Sequence, residues 1–400
     1  MTAPFVLYDD ARARELEPFA LTRPVGELVA GAELVRRRWE RTAGAGATAF
    51  VGAPHLERFE EPGAPRAARG TLPAGTVLAN TRCAPALDAR LGDGAAWRCA
   101  GRVAAVRLAA PLEVARLADG ALALESLATG RTSELRGWWL DEVWDLVRHL
   151  SAMLGADLAV LGPEEGGAPP SEMRVLGEHP AFVAAGAYIE PFVLADTTAG
   201  PVLVRRDARV EAFTRLVGPC VIGERTRVHG GKIAWCSIGA DARVCGEMSV
   251  AIVIGHANKA HDGFVGHSVI GRWANLGAGT ITSNLKNNYG EVTLWTPRGA
   301  RATGMQFLGA MIGDHAKTAI GTRLTTGSVV GAGANVFGDA VPPKFVPPFA
   351  WGAAPPFGTF ERERFLAVAE RVMRRREVTL TDGQRQALSA AWARRGVFVP

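Results

Sequence analysis

Residues 190–340 carry an aliphatic side chain at every sixth position, a spacing that neither an α-helix nor a simple strand produces. Short phrases such as VIGERTRV, SIGADARV and VVGAGANV recur with it. A six-residue unit spans one short strand and a turn, so three units close a triangular coil with the aliphatic residue inside. One such unit cannot bury its apolar side alone. The sequence therefore predicts stacked coils, a parallel β-helix. One uninterrupted run of the repeat is Val204, Val210, Leu216, Ile222 and Val228.

The chain of 400 residues divides into four predicted segments. Residues 1–165 mix apolar runs such as FVLY with helical patterns such as VGELVAGAELVRRRWER, which is typical of an α/β domain. The Gly/Pro-rich stretch LGPEEGGAPPSEM predicts a linker over 166–189. We expect the β-helix over 190–354 and two short helices over 355–400, whose role is packing or forming an interface.

Local signals place two helix boundaries. A tryptophan-rich amphipathic segment that begins at Trp138 predicts the helix that closes the first domain. Near the C-terminus, Thr381 precedes Asp-Gly-Gln and is the expected N-cap of the last helix.

The charge and composition of the chain limit the classes of molecule that it is expected to bind. The formal net charge is +5, but much of the arginine lies in amphipathic runs such as RVMRRREV, which predicts a solvated helix face. Basic residues are not interleaved with aromatic ones, which argues against nucleic-acid binding. The positive balance suits an anionic small substrate. The five dispersed cysteines predict reduced, mostly buried thiols.

No stretch of the sequence is apolar over the roughly 18 to 20 residues that a membrane span needs. The first residues lack the charged start and apolar core of a secretory signal. We therefore expect a cytoplasmic protein without a membrane partner.

One polar segment, GHANKAHDGFVGHSVIGRWANLGAGTITSNLKNNYGEV, interrupts the repeat. A rigid scaffold holds such a loop in place at both ends. An imidazole, with an unperturbed pKa near 6.5, can take a proton from an attacking amine at neutral pH. Amides and backbone N–H groups can hold the oxyanion formed in acyl transfer. The segment predicts an acyl-transfer site at His261, with a purely structural histidine as the alternative, whereas His256 and His267 are expected to be structural or surface residues.

The phrase NKAHDGFVGHSVIGRWANLGAGTITSNLKNNYG resembles the acetyltransferase half of the bifunctional enzymes that make UDP-N-acetylglucosamine. Those enzymes pair glucosamine-1-phosphate N-acetyltransferase with N-acetylglucosamine-1-phosphate uridyltransferase. The opening LYDDARARELEPFALTRPVGELVAGAELVRRRWE is similar to a divergent sugar nucleotidyltransferase branch of that family. The resemblance implies an α/β nucleotidyltransferase-like domain, left-handed coiling of the β-helix and a homotrimer with its active site between subunits. It also implies an acetyl-CoA-dependent transferase that N-acetylates an amino sugar phosphate such as glucosamine-1-phosphate, in nucleotide-sugar synthesis.

Matching residue by residue, the resemblance places the general base at His261 and a partner for its imidazole at Glu247. It implies that Asn275 contacts the sugar. It also implies that Ala278 lies against acetyl-CoA and that Asn284 approaches the acetyl group.

The sequence departs from the family at three positions. The aromatic residue three places after the base is Phe264, so a hydroxyl is lost, and the family's tyrosine after the asparagine falls on Leu285. Its phosphate-binding lysine falls on Ser249. We expect Lys232 or Lys259 to supply the missing charge and to bind the substrate.

The N-terminal segment lacks the glycine-rich loop with which nucleotidyltransferases of this class approach a triphosphate, although it keeps Thr22, Arg23 and Pro24. The resemblance implies UTP and Mg²⁺ as its co-substrate and metal. Asp9 and Asp10 could ligate the metal, but a polar loop after a strand is the favoured interpretation. An active domain and one that keeps only the fold both stay open.

Two other functions are alternatives to acyl transfer. His229, His256 and His261 vaguely resemble the three-imidazole zinc set of β-helix carbonic anhydrases, which would make the protein a zinc-dependent hydratase. A non-catalytic protein that binds nucleotide sugars is the other. The acyltransferase prediction needs no metal in the β-helix.

Overall fold

A computed structural model describes residues 4–398, and the chain divides into two compact units. The first unit runs through Asp145 and includes Leu380–Arg394, and the second holds Leu146–Thr379. Helices are few in the described residues. The α-helices are α1 (Val35–Ala43), α2 (Asp145–Arg148), α3 (Leu150–Glu165), α4 (Arg362–Arg374) and α5 (Asp382–Ala393). Short 3₁₀ helices cover Ala13–Glu15, Val25–Glu27, Pro54–Leu56, Val114–Leu117, Leu124–Leu127 and Arg395–Phe398.

The first unit is built on a seven-stranded mixed sheet, which confirms the predicted α/β domain. The apolar run FVLY forms its strand Phe5–Tyr8, which pairs in parallel with both Ala49–Val51 and Val77–Asn80. All four side chains of this strand are buried, as expected for a strand covered on both faces. In sheet order the strands are Thr132–Glu134, Ala96–Cys99, Arg102–Arg107, Val77–Asn80, Phe5–Tyr8, Ala49–Val51 and Arg66–Ala67. Smaller pairs are Val29–Ala30 with Glu33–Leu34, Thr71–Leu72 with Leu112–Glu113, and Cys83–Pro85 with Gly137–Trp139.

Two helical predictions in the first unit were too long. The tryptophan-rich segment does not begin a helix, because Gly137–Trp139 is a strand that pairs antiparallel with Cys83–Pro85. Of the segment VGELVAGAELVRRRWER, only the part from Val35 enters α1. The residues before it form a tight antiparallel pair, which turns at Gly31 in the left-handed region (φ 64°).

The second unit is a parallel β-helix, as the six-residue period predicted. Consecutive coils place Val204, Ile222, Ile238, Val253 and Ile270 in register, one above the other, and each is at most 1% exposed. One ladder comprises Ala181–Val183, Val202–Val204, Cys220–Ile222, Ser237–Ile238, Ile252–Val253, Val269–Ile270, Ala310–Ile312, Ser328–Val330 and Phe345–Val346. The other comprises Met173–Leu176, Tyr188–Ile189, Val193–Asp196, Arg209–Val210, Thr214–Val217, Arg227–Ala234, Arg243–Ser249, Asn258–Lys259, Phe264–Gly266, Asn275–Leu276, Lys317–Thr318, Asn335–Val336, Ala350–Trp351 and Gly358–Thr359. Two further pairs are Ile281–Thr282 with Arg323–Leu324 and the antiparallel hairpin Thr293–Thr296 with Gly299–Ala302.

The β-helix begins earlier than the sequence predicted. The segment 166–189 contains strands rather than a linker, and Met173–Leu176 already pairs in parallel with Val193–Asp196. Helix α3 packs on these first coils. Its Gly162 allows the Phe182 ring to approach, since a Cβ there would lie 2.3 Å from that ring. Left-handed coiling stays a prediction from the resemblance.

The two C-terminal helices are present where they were predicted. Thr381 caps α5, since its Oγ1 accepts a hydrogen bond from the Gln384 backbone N–H at 3.2 Å and its own N–H donates to the Gln384 side chain at 3.0 Å. Helix α4 belongs to the β-helix unit, whereas α5 belongs to the first unit, where Thr381 Oγ1 donates to Glu60. The five cysteines are free thiols and four of them are buried, as predicted. None of the helices within residues 4–398 has the length and apolar character to cross a membrane.

Candidate active site

A cleft of about 750 Å³ opens on one face of the β-helix, at the coil that carries His261. Parallel pairing places Arg227, Arg243, Asn258 and Asn275 on successive strands of this face. The cleft is lined by Arg227, His229, Arg243, Asn258, Ala260, His261, Asn275, Leu276, Gly277, Ala278, Ile320, Arg375 and Arg376.

Three of the residues predicted for acyl transfer lie together in this cleft: His261, Asn275 and Ala278. His261 is exposed and sits in the turn between the strands Asn258–Lys259 and Phe264–Gly266. An imidazole that faces an open cleft is accessible to an amine substrate, which a general base requires.

A chain of hydrogen bonds orients the Asn275 carboxamide. Arg376 Nη2 donates to Asn258 Oδ1 at 2.5 Å, and Asn258 Nδ2 donates to Asn275 Oδ1 at 3.1 Å. The Asn275 oxygen is thus engaged by the protein. Its amide group can then serve as a donor toward the cleft.

Four arginines surround the cleft: Arg227, Arg243, Arg375 and Arg376. Burial and repulsion from Arg376 and Arg227 lower the pKa of Arg243 to about 10. Such crowding of like charges disfavours the unliganded site and favours an anionic ligand.

The prediction that RVMRRREV forms a solvated face agrees with the exposed Arg374 and Arg375 but not with Arg376, which is half-buried. Arg374 is indeed solvated, with its side chain 73% exposed and paired with Glu370 at 2.8 Å. Arg375 and Arg376, beyond the end of α4, also line the cleft. The helical pattern alone could not show this, since it does not say where the chain turns after the helix ends. The only signal was three consecutive arginines at a helix C-terminus.

A second imidazole lies in the cleft. His229 Nδ1 is 2.9 Å from Glu211 Oε1. A histidine oriented by a carboxylate is a common acid–base arrangement. From the sequence, His229 was predicted only as a possible zinc ligand, because His229 and Glu211 are 18 positions apart and meet only through coil stacking.

Other predicted residues lie outside the cleft lining. Glu247 and Lys232 stand in register on neighbouring coils and form an exposed ion pair at 3.7 Å. The Asn284 side chain is 2.9 Å from His267 Nδ1. Burial lowers the pKa of His267, whose ring stacks on Phe307.

Lys259 is 1% exposed and occupies an inward position of the coil, in register with Val244. Its ammonium donates to the backbone carbonyls of Cys245, at 3.4 Å, and His261. This placement does not favour contact with a substrate in the cleft. It supports a positioning role for Lys259 beneath the His261 turn.

The histidines of the zinc hypothesis have other neighbours. His256 packs on Trp273, with ring centroids 4.2 Å apart, and its Nε2 is 3.6 Å from Asp241. Across residues 4–398, the structure contains no group of three or more His, Cys, Asp or Glu side chains that could hold a metal ion.

The two aspartates of the first unit are engaged by protein donors. Asp9 is buried and accepts hydrogen bonds from Thr81 Oγ1 at 2.5 Å and the Val25 N–H at 3.1 Å. Burial raises the pKa of Asp9 to about 6. Asp10 forms a two-pronged ion pair with Arg82, at 2.9 and 2.6 Å. A carboxylate pair satisfied in this way does not fit a Mg²⁺ ion, which needs free oxygen ligands.

Together the units define a class of protein in which an α/β domain precedes a hexapeptide-repeat β-helix with a polar cleft. Residues 5–164 match the family model described as sugar nucleotidyl transferase. The chain is 33% identical over 95 residues to a bifunctional sugar-1-phosphate nucleotidylyltransferase/acetyltransferase of Sulfurisphaera tokodaii, covering 24% of each chain. It is 33% identical over 106 residues to bifunctional protein GlmU of Methanococcus vannielii, covering 25% of each.

A third relative, bifunctional protein GlmU of Jannaschia sp., is 32% identical over 126 residues, which cover 29% of this chain and 25% of that protein. The chain thus spans about a quarter of the length of the curated relatives it matches. These matches confirm the resemblance to bifunctional nucleotidyltransferase/acetyltransferase enzymes.

Proposed function

We propose that the protein is a transferase that moves an acetyl group from acetyl-CoA to the amine of an amino sugar phosphate. The observation that carries this proposal is the cleft, which combines an exposed imidazole, an oriented carboxamide and four arginines. The names of the relatives support acyl transfer in sugar-nucleotide synthesis. Glucosamine-1-phosphate is the acceptor we propose.

The proposed chemistry balances with groups in the cleft. The acceptor amine attacks the thioester carbonyl, and His261 takes the proton that the amine loses. Backbone N–H groups at the cleft stabilise the oxyanion, while Asn275 binds the sugar. The C–S bond then breaks, and the leaving sulfur takes up a proton as a free thiol.

The test is release of free thiol from acetyl-CoA and glucosamine-1-phosphate. We expect His261→Ala to reduce turnover by ~10²- to 10⁴-fold, the contribution of a general base. The exposed His179 on the first coils provides the control, since His179→Ala leaves the cleft unchanged.

His229→Ala decides between the two imidazoles of the cleft. If it abolished thiol release while His261→Ala did not, His229 with Glu211 would be the base, and His261 would lose the role proposed for it.

Nucleotidyl transfer is a second proposed function, since residues 5–164 match the sugar nucleotidyl transferase model. We place any metal site away from Asp9 and Asp10, whose oxygens are engaged. Pyrophosphate release from UTP and N-acetylglucosamine-1-phosphate in the presence of Mg²⁺ tests it. Pyrophosphate release no faster than without the protein would mean that the first unit keeps the nucleotidyltransferase fold but not the activity.

The assembly and its location are also proposals. The resemblance favours a homotrimer that completes the cleft, and light scattering measures its mass. A monomer mass would contradict this. The cytoplasmic location stays a prediction.

A further inference from the structure

A second pocket of about 200 Å³ adjoins the cleft. Four residues line both cavities and form a wall between them: Asn258, Asn275, Arg375 and Arg376. The pocket is lined by His256, Asn258, Trp273, Asn275, Lys317, Val372, Arg375 and Arg376.

Lys317 is one of the residues that line this pocket. Strand pairing places its backbone one rung from Asn275, and that of Asn275 one rung from Asn258, at ~4.8 Å per rung. Its Nζ donates to the His315 backbone carbonyl at 3.0 Å. Burial lowers the pKa of Lys317 to about 8.

No carboxylate is among the residues that line the pocket. Asp241, which lies 3.6 Å from the lining residue His256, is already paired with Arg225 at 2.8 Å. Lys317, Arg375 and Arg376 therefore place three cations around a small volume. Cations without a carboxylate are stabilised by a bound anion, most strongly by one that accepts several charge-assisted hydrogen bonds.

The size and position of the pocket limit the kinds of ligand that it can bind. A volume of 200 Å³ admits a phosphate with part of a sugar but not a whole nucleotide. The Asn258 and Asn275 carboxamides at the shared wall suit the hydroxyl groups of a sugar. The phosphate-binding lysine of the resembled family falls on Ser249, so the expected charge is missing there.

We propose that this pocket binds the phosphate group of the acceptor, and that Lys317 and Arg375 determine specificity for a phosphorylated acceptor. This inference rests on the proposed function, because the acceptor amine then lies toward His261 in the adjoining cleft. Phosphate also occurs in coenzyme A, so the experiment separates acceptor from donor.

Calorimetric titrations of the full-length protein with glucosamine-1-phosphate, glucosamine and coenzyme A test the proposal. We expect Lys317→Met and Arg375→Ala each to weaken glucosamine-1-phosphate binding by ~10- to 100-fold, as for the loss of a charge-assisted hydrogen bond. Binding of glucosamine and coenzyme A stays within about twofold of the parent. Lys317→Met keeps the length and packing of the side chain, and Arg375→Lys, which keeps the charge, retains most of the affinity.

Arg374→Ala is the matched control, since it removes a neighbouring arginine that is solvated. Unchanged glucosamine-1-phosphate binding in both variants overturns the proposal, as does a loss confined to coenzyme A, which would assign the pocket to the donor. Thiol release is measured in parallel. If the parent releases no thiol but binds glucosamine-1-phosphate through Lys317 and Arg375, acyl transfer fails and the pocket assignment stands.

Discussion

Lys259 stands where the neighbouring coil has Val244, and its ammonium lies inside the β-helix. From the sequence, its charge suggested a contact with the substrate. The sequence could not show that the backbone carbonyls of Cys245 and His261 accept hydrogen bonds from the Lys259 ammonium. A charged side chain can therefore follow the repeat when the coil supplies its hydrogen bonds.

We expect Lys259→Met to lower kcat by ~10-fold while KM changes little, because small misplacement of a catalytic group slows chemistry more than binding. The fold is retained, since an apolar side chain suits the inward position. Steady-state kinetics with a thermal melt checks both. Lys232→Met, at an exposed position, is the control. A parent-like kcat in Lys259→Met would show that the ammonium does not hold the His261 turn.

Glu17 provides a second prediction. Burial raises its pKa from 4.5 to about 8, so the folded state holds a proton that the unfolded state releases at neutral pH. The stability that this proton brings is full below about pH 4.5 and is lost as the pH rises through about 8.

Glu17→Gln should therefore raise the free energy of unfolding by about 2 to 4 kcal/mol at pH 8 and leave it nearly unchanged at pH 4.5. Urea unfolding at the two pH values measures this, with Glu134→Gln at an exposed position as the control. If Glu17→Gln changed the free energy of unfolding equally at both pH values, the pKa of Glu17 would not be raised in the folded protein.

Among the elements, the coils were predicted best. Their aliphatic residues recur at a fixed spacing and point into one column, so the period alone indicates both the strands and the core. The first coils were missed because the Gly/Pro-rich run before them resembles a linker, although Pro163 lies inside α3. In the site, His261, Asn275 and Ala278 line one cleft, and the roles given to them stay predictions. Arg227 and Arg243 were not predicted as site residues, since an outward arginine on a repeat looks like any solvated residue.

Two glycines show how the elements differ. Gly231 has φ 96°, and a Cβ there would lie 2.2 Å from the Gly246 carbonyl oxygen of the next coil. Gly155 in α3 has no heavy atom within 4 Å of such a Cβ. We expect Gly231→Ala to destabilise the protein by about 2 to 4 kcal/mol and Gly155→Ala to stabilise it by about 0.5 to 1 kcal/mol. Chemical denaturation measures both free energies of unfolding. If Gly231→Ala left this energy unchanged, the neighbouring coils could move apart to admit a Cβ at little cost.

At the scale of the whole molecule, the last helices divide between the two units. The Thr381 cap predicted where α5 begins, but the partner on which a helix packs depends on contacts far apart in sequence, which no local signal reports. The Gln384 side chain donates to the Glu60 carbonyl at 2.9 Å, so α5 completes the first unit.

A chain that stops after Thr379 tests this arrangement. We expect faster amide hydrogen exchange around Pro54–Leu56, which α5 covers, and unchanged protection in the coil around Ile238. Mass spectrometry of exchanged peptides gives both values from one sample. Unaltered exchange at Pro54–Leu56 would show that α5 contributes little to the first unit.

The position of α5 also bears on how the protein is made. A ribosome delivers the sheet of the first unit early and its final helix only after every coil of the β-helix has been translated. During synthesis, the surface around Glu60 that α5 later contacts stays exposed to solvent while the coils of the β-helix are being translated. A chaperone that binds nascent chains can thus protect this surface until Leu380–Arg394 leaves the ribosome. From then on, α5 can cover it.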